Sequence, residues 1–122
     1  EIQSILEGVK NVHKDKEIIS VFEPHRYSRV LSLKKQFAKS FINSNLVLLC
    51  PIYSAGEKLN RKYNINDFAK LIAKFSKTQV IIIQNYNEIE KYFKKNLTQN
   101  RIIIGMGAGS ISKYMRDLKT VL

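Results

Sequence analysis

Short, unbroken apolar runs alternate with amphipathic stretches along the whole chain, and this alternation restricts the fold more than any other feature. Four runs rich in β-branched and aliphatic residues fall near residues 17–23, 46–51, 80–84 and 101–105. Runs of this kind, without strict apolar–polar alternation, predict strands covered on both faces. Between them apolar side chains recur at helical spacing. Ile2, Ile5, Leu6 and Val9 mark a helix over residues 1–12, and Val30, Leu33, Phe37 and Phe41 one over residues 29–43. Further stripes are Phe68, Leu71, Ile72 and Phe75; Ile89, Phe93 and Leu97; and Ile111, Met115 and Leu118. The order αβαβαβαβα predicts an α/β fold with parallel strands and right-handed crossovers.

Punctuation supports the same division. Pro24 and Pro51 remove ladder donors and end the first two strands. The stretch Asn43, Ser44, Asn45 breaks the second helix, and Asn66 stands where the third needs an N-cap. Asn87 and Glu90 have capping-box spacing before the fourth.

The chain is 122 residues long, the size of one domain, and 44% hydrophobic, enough for a core of its own. Its apolar runs fall far short of the roughly 20 residues needed to span a bilayer, and no signal peptide is evident at the start. The single Cys50 lies within the second apolar run and reads as an inert core thiol. Without an internal disulfide, a reducing compartment such as the cytoplasm is expected. The net charge of +11 is a weak signal for nucleic acid. Lysine far outnumbers arginine, the lysines are scattered over helical faces, and the abundant Lys, Asn and Ile share A/T-rich codons.

In a parallel α/β sheet, ligands bind outside the carboxyl ends of the strands. Three loops leave such ends here. The first carries His25, Arg26 and Arg29, an imidazole and two guanidinium forks suited to carboxylate or phosphate. The same residues also suit a solvated basic turn with Ser28 as helix N-cap. The second loop carries Tyr53, Gly56 and Glu57. Its carboxylate could hold an ammonium group or a metal-bound water, or could be a solvated charge after a glycine turn. The third carries Gly105, Gly107 and Gly109, with Ser110 as a cap. Its spacing departs from the dinucleotide fingerprint, and it suits either a phosphate contact or a tight strand-to-helix turn. No P-loop, metal-ligand cluster or nucleophile–base set is present in the sequence.

The segment Val21-Phe22-Glu23-Pro24-His25-Arg26-Tyr27-Ser28-Arg29 resembles the V-F-Q-P-H-R-Y-[ST]-R segment in the C-terminal domain of the UDP-N-acetylmuramate–L-alanine ligases, members of the Mur ligase family. Tyr53-Ser54-Ala55-Gly56-Glu57 is similar to that family's Y-x-A-G-E loop, and Gly105-Met106-Gly107-Ala108-Gly109-Ser110-Ile111 to its Q-G-A-G-x-I segment. The order and spacing agree over essentially the whole chain, with Glu23, Ser54 and Gly105-Met106 as departures. Glu1-Ile2 looks like the tail of the family's D-D-Y-x-H-H-P-T-E-I motif.

The resemblance implies a three-layer Rossmann-like sandwich with strand order 4-1-2-3, placing the glycine loop beside the His25 loop. It implies that residues 1–122 are the C-terminal domain of a three-domain enzyme, with an N-terminal UDP-sugar domain and a central P-loop ATPase domain. ATP and magnesium would be bound mainly by the central domain. The lactyl carboxylate of UDP-N-acetylmuramate would become an acyl phosphate, and the amine of L-alanine would attack it. His25, Arg26 and Arg29 would face the alanine carboxylate and nearby phosphates, with Tyr53, Gly56, Glu57, Gly107 and Gly109 as cleft-lining residues. Two other readings are a freestanding Rossmann-like nucleotide-binding module and a basic nucleic-acid interaction domain with salt-sensitive binding.

Overall fold

In a computed structural model of the chain, residues 1–96, 100–107 and 111–121 are described, without the side chains of residues 117 and 119–121. The strands are β1 (Glu17–Glu23), β2 (Leu46–Leu49), β3 (Gln79–Ile82) and β4 (Arg101–Gly107). They form one parallel sheet in the order β3-β2-β1-β4, the expected 4-1-2-3. The helices are α1 (Ile2–Val12), α2 (Tyr27–Ser32), α3 (Lys34–Lys39), α4 (Ile65–Ser76), α5 (Tyr86–Lys95) and α6 (Ile111–Val121).

The two sheet faces hold separate cores, which makes the fold a three-layer sandwich. On one face Phe22 and Val47 pack with Leu6 of α1, Val30 of α2, Ala38 of α3, Phe41, and Phe68 and Ile72 of α4. On the other, Val21 and Leu48 pack with Ile89 and Phe93 of α5 and Ile111 and Leu118 of α6. β1 lies between β2 and β4 and is buried from Ile18 to its end. Alternate residues therefore serve opposite cores, which explains its nearly continuous apolar sequence. Each large side chain fully withdrawn from water contributes about 1.5–3 kcal/mol. Phe22, Phe37, Phe41 and Phe68 cluster around the last turn before the first loop, with ring centroids 5.1–6.4 Å from Phe22. This cluster gives the rim a rigid base.

The expected helix over residues 29–43 is two helices. The chain breaks at Leu33 (φ −112°, ψ 20°), α3 ends at Lys39, and Phe41 reaches the core from the turn that follows. Side-chain periodicity runs through the break because Val30 and Phe37 still face one core, so the pattern conceals it. Two caps also lie two residues earlier than expected. Asn64, rather than Asn66, accepts from the Asp67 amide at 3.0 Å. Asn85, rather than Asn87, caps α5 by accepting from the Glu88 amide. Glu88 in turn accepts from the Gln84 amide. In both cases the earlier Asn is followed three residues on by an acidic residue, the arrangement that suits a helix N-terminus. Ile5, expected in the core stripe of α1, is 47% exposed at the stripe's edge. Leu97, Gly109 and Ser110 lie outside the described residues.

Candidate functional site

Pro24 and Pro51 end β1 and β2, but the two chains stay joined beyond them. The Tyr53 amide donates to the Pro24 carbonyl and the Arg26 amide to the Tyr53 carbonyl, both at 2.8 Å. The resulting parallel bridge pairs His25 with Tyr53. Past it, Arg26 takes a positive φ of 65° and turns the chain into α2, whose first turn carries Arg29. Arg26 and Arg29 are exposed, and neither forms an ion pair with a carboxylate among the described residues. The Arg29 guanidinium lies 5.9 Å from the centre of the Phe37 ring, which directs the fork along α3.

A cleft of about 600 Å³ opens beside this loop, within the range usual for small-ligand sites. Its walls include His25 and Arg29 from the first loop and Gly105, Met106 and Gly107 from the end of β4. Ile2 and Ile5 of α1, Gln36 and Phe37 of α3, and Glu23 at the end of β1 are also among its walls. The strand order brings His25 and Gly107 to one site, because Glu23 pairs in register with Gly107. Gly107 has a φ of 149°, and a Cβ there would lie 2.6 Å from the Glu23 carbonyl oxygen. Only glycine lets the two chains approach this closely.

Several residues singled out from the sequence as ligand-binding or cleft-lining do not line this cavity. Arg26, Tyr53, Gly56 and Glu57 are absent from its walls. Gly56 (φ 87°) follows Ala55 (φ 53°) in a tight turn closed by the Glu57 amide donating to the Ser54 carbonyl. Positive φ at both central positions is the type I′ pattern. This turn aims the Glu57 carboxylate at the start of α2. There it accepts from the Ser28 hydroxyl and, at 3.2 Å, from the Ser28 amide. Hydrogen bonds from the Ser28 hydroxyl and amide hold the Glu57 carboxyl below its ordinary value. Ser28 is therefore not the N-cap of α2. It sits inside the helix, and the carboxylate that serves its amide comes from another loop.

The pattern of residue types gave no sign of Ile2, Ile5, Gln36 and Phe37 as cleft walls, since they belong to helices that frame the loops. Glu23 was also missed. It is 5% exposed, its Oε2 accepts from the Tyr86 hydroxyl, and its Oε1 has no hydrogen-bond partner among the described residues. Burial pushes the Glu23 carboxyl above its ordinary value, only partly offset by the Tyr86 bond and nearby His25. Its place at a strand terminus, one residue before a proline, was the available signal. Cys50 is fully buried, and burial, with nearby Glu23, pushes its thiol up to about 12. It is held as an unreactive thiol.

No family model matches the chain. The chain is 42% identical over its full length to the UDP-N-acetylmuramate–L-alanine ligase of Pelagibacter ubique, of which it covers 26%. It is 33% identical over its full length to the ligase of the same name from a Sulfurihydrogenibium species, covering 27%. Across 98% of the chain it resembles a solved murein peptide ligase from Psychrobacter arcticus, with a TM-score of 0.72 and 16% identity, covering 24% of that protein. The whole chain is homologous to one stretch of these ligases. A solved domain from a Haemophilus ducreyi protein, described as a UDP-N-acetylmuramate:L-alanyl-γ-D-glutamyl-diaminopimelate ligase, shares the fold with a TM-score of 0.65. The chain spans about a quarter of the length of the curated relatives it matches. Among its described residues no helix is long and apolar enough to cross a membrane. No group of three His, Cys, Asp or Glu side chains able to hold a metal occurs among them either.

Proposed function

We propose that this chain is the C-terminal, amino-acid-binding and cleft-closing domain of an ATP-dependent ligase that joins L-alanine to UDP-N-acetylmuramate in peptidoglycan precursor synthesis. The observation that carries the reading is the first rim loop. Two guanidinium groups without carboxylate partners among the described residues stand at the carboxyl end of the central strand, and one of them forms a wall of the cleft. The relatives' names supply the reaction class.

In this reading Arg29 offers a bidentate fork to the alanine carboxylate, and Arg26, at the outer border, faces phosphate oxygens of the larger substrate. His25 fixes the loop through its stack on Tyr53. Holding the carboxylate orients the alanine amine for attack on an activated acyl carbon, a positioning contribution to the rate. Domain closure over the cleft would exclude water from that acyl group. ATP and its magnesium would supply the phosphoryl group and offset its charge. The described residues do not fit a magnesium site, since Glu23 is engaged by Tyr86 and Glu57 by Ser28. Both therefore belong to the central domain in this reading, and the present chain alone neither activates the carboxylate nor forms ADP.

The test is steady-state kinetics of Arg26→Ala and Arg29→Ala in the full-length ligase, beside thermal unfolding of each variant. Loss of a charge-assisted hydrogen bond to a ligand anion corresponds to roughly a ten- to hundredfold loss in apparent affinity or rate. His25→Ala is expected to be milder. Wild-type kinetics in both arginine variants would return the loop to a solvated basic turn.

A further inference from the structure

Three groups of the second loop grip the first. The Tyr53 carbonyl accepts from the Arg26 amide, the Tyr53 ring stacks on His25, and the Glu57 carboxylate takes both the amide and the hydroxyl of Ser28. These contacts flank Arg26, a non-glycine residue at φ 65° and ψ 130°. Such a conformation persists only where its surroundings over-determine it. The backbone on one side of Arg26 is fixed by Tyr53 and on the other by Glu57. The Glu57 contact is itself directed by consecutive positive φ angles at Ala55 and Gly56. Backbone strain in both loops is thus concentrated on one junction, between a carboxylate and the first turn of the helix that carries Arg29.

We propose that Glu57 is a positioning residue that sets the direction of Arg26 and Arg29 toward a bound carboxylate or phosphate, without touching the ligand itself. This rests on the reading of the two arginines as anion ligands. The carboxylate bridges to Ser28 with both oxygens, so geometry and not charge alone is required. Glutamine can reproduce both contacts: its carbonyl oxygen accepts from the Ser28 amide, and its amide N–H donates to the Ser28 hydroxyl oxygen, which can accept as well as donate. Aspartate keeps the charge but is one methylene too short to bridge.

The experiment compares Glu57→Ala, Glu57→Gln, Glu57→Asp, Ser28→Ala and Arg29→Ala in the full-length ligase. For each, KM for L-alanine, kcat and the unfolding temperature are measured. Glu57→Ala and Glu57→Asp are expected to raise KM by about three- to tenfold, with smaller changes in kcat, and Glu57→Gln to restore it. Ser28→Ala, which removes only the hydroxyl contact, raises KM less and keeps the test valid should Glu57→Ala not fold. A damaged Arg29→Ala beside unchanged KM in Glu57→Ala, or in Ser28→Ala if the former does not fold, overturns the positioning role. Glu57→Gln as impaired as Glu57→Ala also overturns it, because the carboxylate charge, which nearby Arg26 feels, and not the bridge to Ser28 would then be what matters. Unchanged kinetics in Arg29→Ala overturns the anion reading itself.

Discussion

The imidazole of His25 lies flat against the phenol ring of Tyr53, with ring centres 5.5 Å apart and planes 8° from parallel. The pair continues the ladder of β1 and β2 past two prolines and carries the pairing out to the rim. Offset-stacked rings contribute about 0.5–1.5 kcal/mol beyond their buried area. Tyr53→Ala is therefore expected to lower the unfolding temperature by roughly 2–6 °C, while Tyr53→Phe stays near the parent. Calorimetry or thermal circular dichroism of the three proteins decides. Equal losses in both variants would assign the effect to the hydroxyl and not to the stack.

Glu23 gives the chain a pH dependence of defined sign. Burial raises its carboxyl above the ordinary value of 4.5, so the folded chain holds this proton more tightly than the unfolded chain. The stabilisation is fully present below that ordinary value and is lost as pH rises through the raised one. Glu23→Gln, which restores the amide of the similar ligase motif, is expected to melt above the parent near pH 7. The difference should close toward about pH 4. A melting difference constant across that interval would show that the charge is irrelevant. Glu57 acts in the opposite sense: its lowered carboxyl stabilises above the ordinary value, and that share is lost as pH falls.

The two described glycines of β4 should differ in tolerance. A Cβ at Gly105 would lie 2.4 Å from Cγ of Met115, a flexible side chain that can move aside. At Gly107 the obstacle is the backbone of Glu23, and the φ of 149° disfavours any side chain. Overpacking typically costs about 1–3 kcal/mol. Gly107→Ala should reach the top of that range or exceed it, with Gly105→Ala below it, as read from urea unfolding midpoints. The reverse order would show that Met115 is the more rigid neighbour.

Tyr63 carries a buried hydroxyl with no hydrogen-bond partner among the described residues, and burial raises its pKa. Its ring packs edge-on against Tyr27 and Phe68. An unsatisfied buried hydroxyl costs about 1–3 kcal/mol. Tyr63→Phe keeps the ring contacts and is expected to be neutral or stabilising by up to about that amount. A clear fall in unfolding midpoint would reveal a partner for the hydroxyl, such as a bound water.

The sheet was legible because β1, β2 and β4 each pack side chains on both faces, which forces nearly continuous apolar sequence. The strand order was legible through the resemblance of three loops, since local patterning carries no information on which strand lies beside which. Local signals failed where the deciding partner is distant in sequence. The Glu57 carboxylate serves Ser28 from 29 residues away, and the Tyr86 hydroxyl reaches Glu23 across 63. The break at Leu33 was hidden because periodicity reports which side faces the core and not whether the backbone stays helical. Asn64 and Asn85 stand two positions before asparagines that suit a cap equally well by residue type, so residue type alone does not choose between them.

That break has a mechanical consequence. α2 carries Arg29 on little more than one and a half turns, anchored by the buried Val30, while α3 is a separate rod seated by Ala38. Because no continuous helix joins them, a small reorientation of the arginine-bearing turn can be taken up on its α3 side by torsion at Leu33, without tilting α3. Force from a gripped anion would thus end at that residue. The aromatic base beneath would stay still while the rim settled around its cargo.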